Sequence, residues 1–161
     1  FLVSDAGTLK RIDYSLIKAA NTPNFAAIKT DGQQAITSAT YTKATLNSVT
    51  FDTASGWDST NNRWVVPTGQ GGKYHVFAML EAYGGSNDIS KLVTQIRLNG
   101  TAVFQAQQET GAQRHINHAM CYILDLDATD YLELWGYITG TSPNIRGDSP
   151  NTFMAVSKVI E

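Results

Sequence analysis

KLVTQIRLNGTAVFQAQ, residues 91–107, carries the signal that decides the fold. Two runs rich in β-branched and other apolar residues, KLVTQIRL and TAVFQAQ, meet at Asn99-Gly100. That dipeptide between alternating sequences is the strongest short-range mark of a tight β-hairpin. Outward from it the same pattern recurs. Toward the N-terminus lie KYHVFAMLEAY (73–83), closed by Gly84-Gly85-Ser86-Asn87, then Arg63 to Val66, stopped by Pro67. Before these come LNSVTFDT (46–53), QAITSATYTKA (34–44) and NFAAIKT (24–30), the last two parted by the turn Asp31-Gly32. Toward the C-terminus, HINHAMCYILDL (115–126) and YLELWGYIT (131–139) are joined through Asp127-Ala128-Thr129-Asp130. A loop with Pro143, Gly147 and Pro150 leads to a closing TFMAVSKVI (152–160). Eight to ten short strands with turn residues between them, and no helical period inside the array, predict an all-β sandwich. Between an immunoglobulin-like and a jelly-roll sandwich, the strand count and the lone cysteine favour the jelly roll.

The 161 residues suffice for one domain, with a radius of gyration of about 15 Å. The organisation expected is a connector over 1–23 and a jelly roll over 24–161. In the connector, SDAGT is a turn signal, and Ile12, Leu16, Ile17 and Ala20 recur at helical spacing until Asn21-Thr22-Pro23 ends the pattern. The chain opens on Phe1 rather than Met, as a piece of something longer would, and shows no basic region ahead of an apolar stretch. Charged residues make up 16%, well below the roughly 25% usual in soluble domains. Ser, Thr, Asn, Gln and Gly take their place, as in β-rich extracellular and viral surface proteins. A net charge of −2 gives no electrostatic reason to expect nucleic acid or an anionic membrane as partner, and no apolar run approaches a membrane span.

The chemistry that short motifs advertise is mostly missing. TGQGGK has phosphate-loop flavour but the wrong spacing, and Tyr74 follows the lysine where Ser or Thr is required. His115 and His118 fall three apart on a strand, hence on opposite faces, and cannot easily share a metal. No G-x-S-x-G elbow exists. Glu81, Glu109 and Glu133 sit on different strands, which ranks a polysaccharide-cleaving pair last. Asp125, Asp127 and Asp130 resemble a weak calcium cluster without the fixed glycine and terminal glutamate of a calcium loop; a polar hairpin end is the commoner explanation. No catalytic residue and no cofactor are expected. Cys121, inside an apolar run, reads as a buried thiol, and Asn99-Gly100-Thr101 is a formal glycosylation acceptor that the hairpin already explains.

Two strands are apolar on both faces. In the YLELWGYI run, Leu132, Leu134 and Ile138 share one face while Tyr131, Trp135 and Tyr137 share the other. In the KYHVFAMLEAY run, Phe77, Met79 and Tyr83 oppose Tyr74, Val76, Ala78 and Leu80. A sandwich strand needs only one buried face. The second aromatic face calls for a loop or a neighbouring subunit as cover, and its occurrence on two strands favours the subunit. Trp57 and Trp64 bracket DSTNNR. Rings beside Asn and Asp are what a sugar-binding surface uses, although Trp64, next to Val65 and Val66, reads as packed.

The order of these signals resembles the trimeric jelly roll shared by the globular head of complement first component q and the tumour necrosis factors. GGKYHVF, LVTQIRLNGTAVFQAQQ, DLDATDYLELWGY and TFMAVSKVI carry the resemblance, although Phe153 is followed by Met154-Ala155-Val156 where stronger members read Phe-x-Gly-Phe. QIRLNGT, DATDYLEL and the connector VSDAGTLKRIDYSLIK are similar to segments of bacteriophage fibre and other virion proteins. The resemblance implies a non-enzymatic virion protein whose subunits meet around a threefold axis through an aromatic-lined sheet face, formed by Phe77, Met79 and Tyr83 or by Tyr131, Trp135 and Tyr137. The N-terminal segment would join other virion proteins. Loops around 56–62, 84–90 and 141–151, with Trp57, Asp58, Asn61 and Asn87 as ligand contacts, would touch a host surface glycan or receptor. The alternative is a purely structural trimerising cap or capsid cement with no external ligand.

Overall fold

The computed structural model describes residues 2–5, 8–11, 22–148 and 150–159. The helical pattern read over residues 12–20 lies outside the described residues. The N-terminal segment contributes a two-stranded antiparallel pair, β1 (Leu2–Asp5) with β2 (Thr8–Arg11). The remaining thirteen strands form two antiparallel sheets that face each other, a jelly-roll sandwich.

One sheet is built around β9 (Gly72–Tyr83). Its whole length pairs on one edge with β12 (His115–Leu126). On the other edge it meets first β15 (Phe153–Lys158) and then β14 (Asn144–Ile145). Beyond these come β3 (Asn24–Ile28) with β6 (Ser48–Asp52), and β4 (Gln34–Ala35) beside β14. The second sheet runs from β11 (Thr101–Gln113) through β10 (Ile89–Leu98) to β13 (Tyr131–Thr139). The far edge of β13 is shared by β5 (Thr42–Lys43) and β8 (Arg63–Val65), and β8 carries β7 (Trp57–Asp58).

The hairpin at Asn99-Gly100 forms as its chemistry dictates. Both residues take positive φ, 51° and 82°, which Asn and Gly tolerate at least cost. The QAITSATYTKA run does not form one strand. The chain leaves the β9 sheet after Ala35 and joins the β13 sheet at Thr42, and the crossing turns at Ala39, where φ is 58°. A crossing between layers must break the ladder, and nothing in the alternation of that run announces where.

Period-two alternation places Tyr74, Val76, Ala78 and Leu80 between the sheets, with Phe25, Met120, Met154 and Val156 beside them. They face Leu92, Ile96, Leu132, Leu134 and Ile138; all are buried. Trp64 closes this core, its ring 5.5 Å from Tyr74 and 6.2 Å from Phe25. Gly136 is small for a reason: a Cβ there would lie 2.9 Å from Leu80 Cδ1.

Candidate interaction faces

The outward face of the β9 sheet is apolar along a row crossing five strands. The registers align Phe51, Ala26, Ala155, Phe77 and Cys121 side by side, with Ile28, Phe153, Met79 and Ala119 in the next row. Phe77 is 37% exposed, Phe51 46% and Ile123 of the adjacent row 55%. The alanines between the two phenylalanines leave a groove of about 440 Å³, walled by Phe51, Thr53, His75 and Phe77 and floored by Ala155 and Ser157. Phe77 also leans on Phe153, with ring centroids 5.4 Å apart. Cys121 is exposed on this face. It was expected inside the core; an apolar run cannot say which of two faces is the inner one, and Met120 and Tyr122 take the inner parity. A second apolar set lies at the sandwich edge, where Tyr122, 51% exposed, stacks on Phe104 at 4.9 Å and Val103 stands nearby in sequence, also exposed.

Of the six residues expected at a subunit interface, Phe77 and Met79 belong to these two rows. Tyr83 sits farther along, at the end of β9, in a polar cluster. There its hydroxyl accepts a hydrogen bond from Arg114 Nη2 at 2.8 Å, and its ring lies 5.1 Å from that of His115. The cluster centres on Glu81, whose side chain is 3% exposed. Its carboxylate accepts hydrogen bonds from Arg146 Nη1 (2.9 Å) and Asn151 Nδ2 (2.6 Å) and meets His115 Nδ1 at 2.8 Å. Burial alone would raise its pKa; these donors and the Arg146 charge outweigh that and hold it below its ordinary 4.5.

Tyr131, Trp135 and Tyr137 occupy the opposite outer surface, that of the β13 sheet, so one interface cannot hold both sets. Basic side chains lie over all three, and Tyr41, from the crossing segment before β5, packs beside Tyr137 with ring centroids 5.1 Å apart. Arg97 lies 3.9 Å above the Trp135 ring, Arg63 4.5 Å above Tyr131, and Lys91 5.9 Å above Tyr137, while Lys43 stands 5.9 Å from Trp135. Long basic stems can bury apolar surface and keep their heads wet. Glu133, buried between them, accepts from Lys43 Nζ (2.8 Å) and Trp135 Nε1 (3.0 Å).

The four residues expected at a ligand-binding tip do not form one site. Trp57 is half-buried and stacks on Phe25 at 5.1 Å, 18° from parallel. Asp58 accepts from Asn61 N, Asn61 Nδ2 and Arg63 Nε at 2.7–3.0 Å, which closes its own hairpin. The first of these donors, Asn61, does most to lower its pKa. Asn87 is exposed in the β9–β10 loop, where neighbouring Asp88 accepts from Thr141 N. That is the Thr139 end of β13, whereas β8 pairs at Tyr131–Leu132, roughly 25 Å away at 3.3 Å per residue.

Of the aspartates 125, 127 and 130, it is Asp130 whose side chain holds the turn before β13. Asp130 accepts from Asn99 Nδ2 (2.7 Å) and Asp127 N (2.9 Å), and Asp125 lies across from Lys73 in the β9–β12 register. No group of three His, Cys, Asp or Glu among the described residues is placed to hold a metal ion. His115 faces outward and His118 inward, toward Leu80's side of the sheet.

No protein-family model matches the chain, and no curated protein matches it in sequence. Solved structures do match. The globular domain of zebrafish complement 1qA protein aligns with a TM-score of 0.55 at 12% identity, over 84% of this chain and 94% of its own. Eiger TNF from S. frugiperda aligns with 0.63 at 13%, over 86% and 92%, and murine APRIL with 0.60 at 11%, over 84% and 98%. The fold is the complement 1q/tumour necrosis factor jelly roll. The match spans the sandwich as a whole and no shared site chemistry is needed to produce it. Sequence had supplied the succession of strands and, of the apolar rows, Phe77 and Met79. Phe51, Phe153, Ala155 and Ile123 were missed, because each lies on a strand whose own pattern is unremarkable and only cross-strand register brings them together.

Proposed function

We propose that the chain forms the non-enzymatic head of a homotrimer borne on a virion, at the end of a fibre or as a head or neck decoration. The observation that carries the trimer is the pair of unlike apolar surfaces: the Phe51–Phe77 groove on one sheet, and the Phe104–Tyr122 edge beside it. A twofold contact would join one patch to itself and leave the other bare. Edge against groove is a heterologous contact, which buries both and closes into a ring at a suitable rotation. Each half-exposed large side chain withdrawn from water adds about 1 kcal/mol. The likeness of QIRLNGT and DATDYLEL to phage fibre segments supports the virion setting, and an antibody to the domain that decorates fibre tips or capsids of intact particles tests it.

Light scattering on a size-exclusion column tests the assembly. The expected mass is three times the 17.5 kDa of the chain, falling to one chain for Phe77→Glu with an unchanged circular dichroism spectrum. A monomeric wild-type protein overturns the reading. Within it, the structural cap gains on the receptor-binding tip, because Trp57 is packed on Phe25 and Asp58 is engaged by its own hairpin.

A further inference from the structure

The outer surface of the β13 sheet has a feature that assembly through the opposite sheet leaves unused. Three of its cations are matched by carboxylates: Lys43 by Glu133 (2.8 Å), Arg63 by Asp58 (3.0 Å) and Lys91 by Glu109 (2.9 Å). Arg97 is not. Glu133 lies across from it in the β10–β13 register, but that carboxylate is taken by Lys43 and Trp135; among the described residues no carboxylate bonds Arg97, and its Nε donates to Gln95 Oε1 at 3.1 Å. Its guanidinium carbon stands 3.9 Å from the centroid of the Trp135 ring, and this contact and the bond to Gln95 together hold the group in place. Tyr41 stands beside it, 39% exposed, with its ring 5.4 Å from the guanidinium carbon and 5.1 Å from the Tyr137 ring. On the other side Gln95 donates to Gln105 (2.9 Å) and exposed Gln107 follows on the same face of β11.

We infer that this strip binds an acidic polysaccharide, with a uronate carboxylate on Arg97, a sugar ring against Tyr41 and hydroxyls on the Gln105 and Gln107 amides. The chemistry selects that occupant. A pre-oriented guanidinium fork suits a planar carboxylate. A protein partner would need apolar surface, and here the rings are already covered by basic stems. The site stands on one subunit and does not depend on the trimer, which would add avidity by presenting three strips.

Affinity electrophoresis of the whole chain through gels containing polygalacturonate, with dextran as the neutral probe, tests this. Wild-type protein should be retarded by polygalacturonate and not by dextran, and less so as salt rises. Arg97→Gln should weaken the affinity by about tenfold or more, and Arg97→Lys, which keeps the charge but loses the stacked fork, should weaken it nearly as much. Tyr41→Ala, at an exposed position, should also weaken it and keeps the test decisive if the Arg97 variants misfold. Phe77→Glu, the monomeric variant, should lose avidity but keep binding, which separates this site from the assembly. No retardation of the wild type, equal retardation by dextran, or full retardation of the folded Arg97 variants each overturns the proposal.

Discussion

Replacing Glu81 by Gln tests whether the polar cluster at the end of β9 holds the 146–151 loop against the sheet. The substitution keeps shape and removes charge. Three donors converge on the wild-type carboxylate, and a glutamine can accept from only one side while its own amide nitrogen faces the rest. Removing one partner of a buried ion pair costs about 3–5 kcal/mol. Two facts lower that figure here. Arg146 is 27% exposed and keeps its bond to Asp148 at 2.6 Å, and His115 is 39% exposed. The expected loss is therefore ~2–3 kcal/mol, a fall in Tm of ~4–10 °C for a chain of this size. The pH dependence follows from the lowered pKa of Glu81. A carboxylate held lower in the folded state than in the unfolded chain contributes stability above its unfolded value. That contribution is lost as pH falls through the folded one. Urea unfolding at fixed protein concentration should show the full gap between wild type and Glu81→Gln at pH 7, and the gap should close toward pH 2, where both side chains are neutral. Equal stability at pH 7, or a gap unchanged with pH, refutes the reasoning.

Three further substitutions follow from the packing. Trp57→Ala should cost ~2–3 kcal/mol in thermal or urea unfolding because the ring rests on Phe25; a loss below about 0.5 kcal/mol, the usual size of surface effects, would restore Trp57 as a free platform. Burial lowers the pKa of His118 below 6.5, so its unfolded form binds a proton first and stability should decline as pH drops from 7 to 5. His118→Gln should flatten that slope, measured by the same unfolding series. Gly147→Ala should cost at least ~1–3 kcal/mol, since its Cβ would stand 2.0 Å from the Gly32 carbonyl oxygen; a melt matching wild type would show that the 146–151 loop moves aside freely.

Much of the fold was legible because β-strand signals are local. Asn99-Gly100 fixed one hairpin and the aspartate turn at 127–130 another, and the alternation in β9 and β13 separated inner from outer residues correctly. What could not be read depends on where strands lie across from one another. Cys121 went to the wrong face because CYIL is apolar at every position, and only the pairing with Phe77 sets its parity. Trp57 and Asn87 belong to loops that look alike in composition, yet they sit toward opposite ends of β13. The cations over Trp135 come from β10 and β5, at sequence distances that no window spans.

That same dependence on register decides which aromatic face needs a partner. Both β9 and β13 carry outward aromatics, so alternation alone treats them as equals. Their neighbours are not equal. Beside β13, the register places Arg97 opposite Glu133, one diagonal step from Trp135, Lys91 one step from Tyr137, and Lys43 directly across from Trp135. Diagonal and direct cross-strand positions are within reach of long side chains, and the stems of those three residues cover the rings. Beside β9, the positions flanking Phe77 are Ala155 and Cys121, and those flanking Met79 are Phe153 and Ala119. Phe153 leans on Phe77 but is itself apolar, the other three are too short to fold over a phenylalanine, and none carries a charge that would hold its head in water. The β13 face completes itself within one chain and can remain in solvent. The β9 face is left with Phe51 and Phe77 half-exposed on either side of an alanine floor, which is why the proposed assembly draws on this face and not on the other.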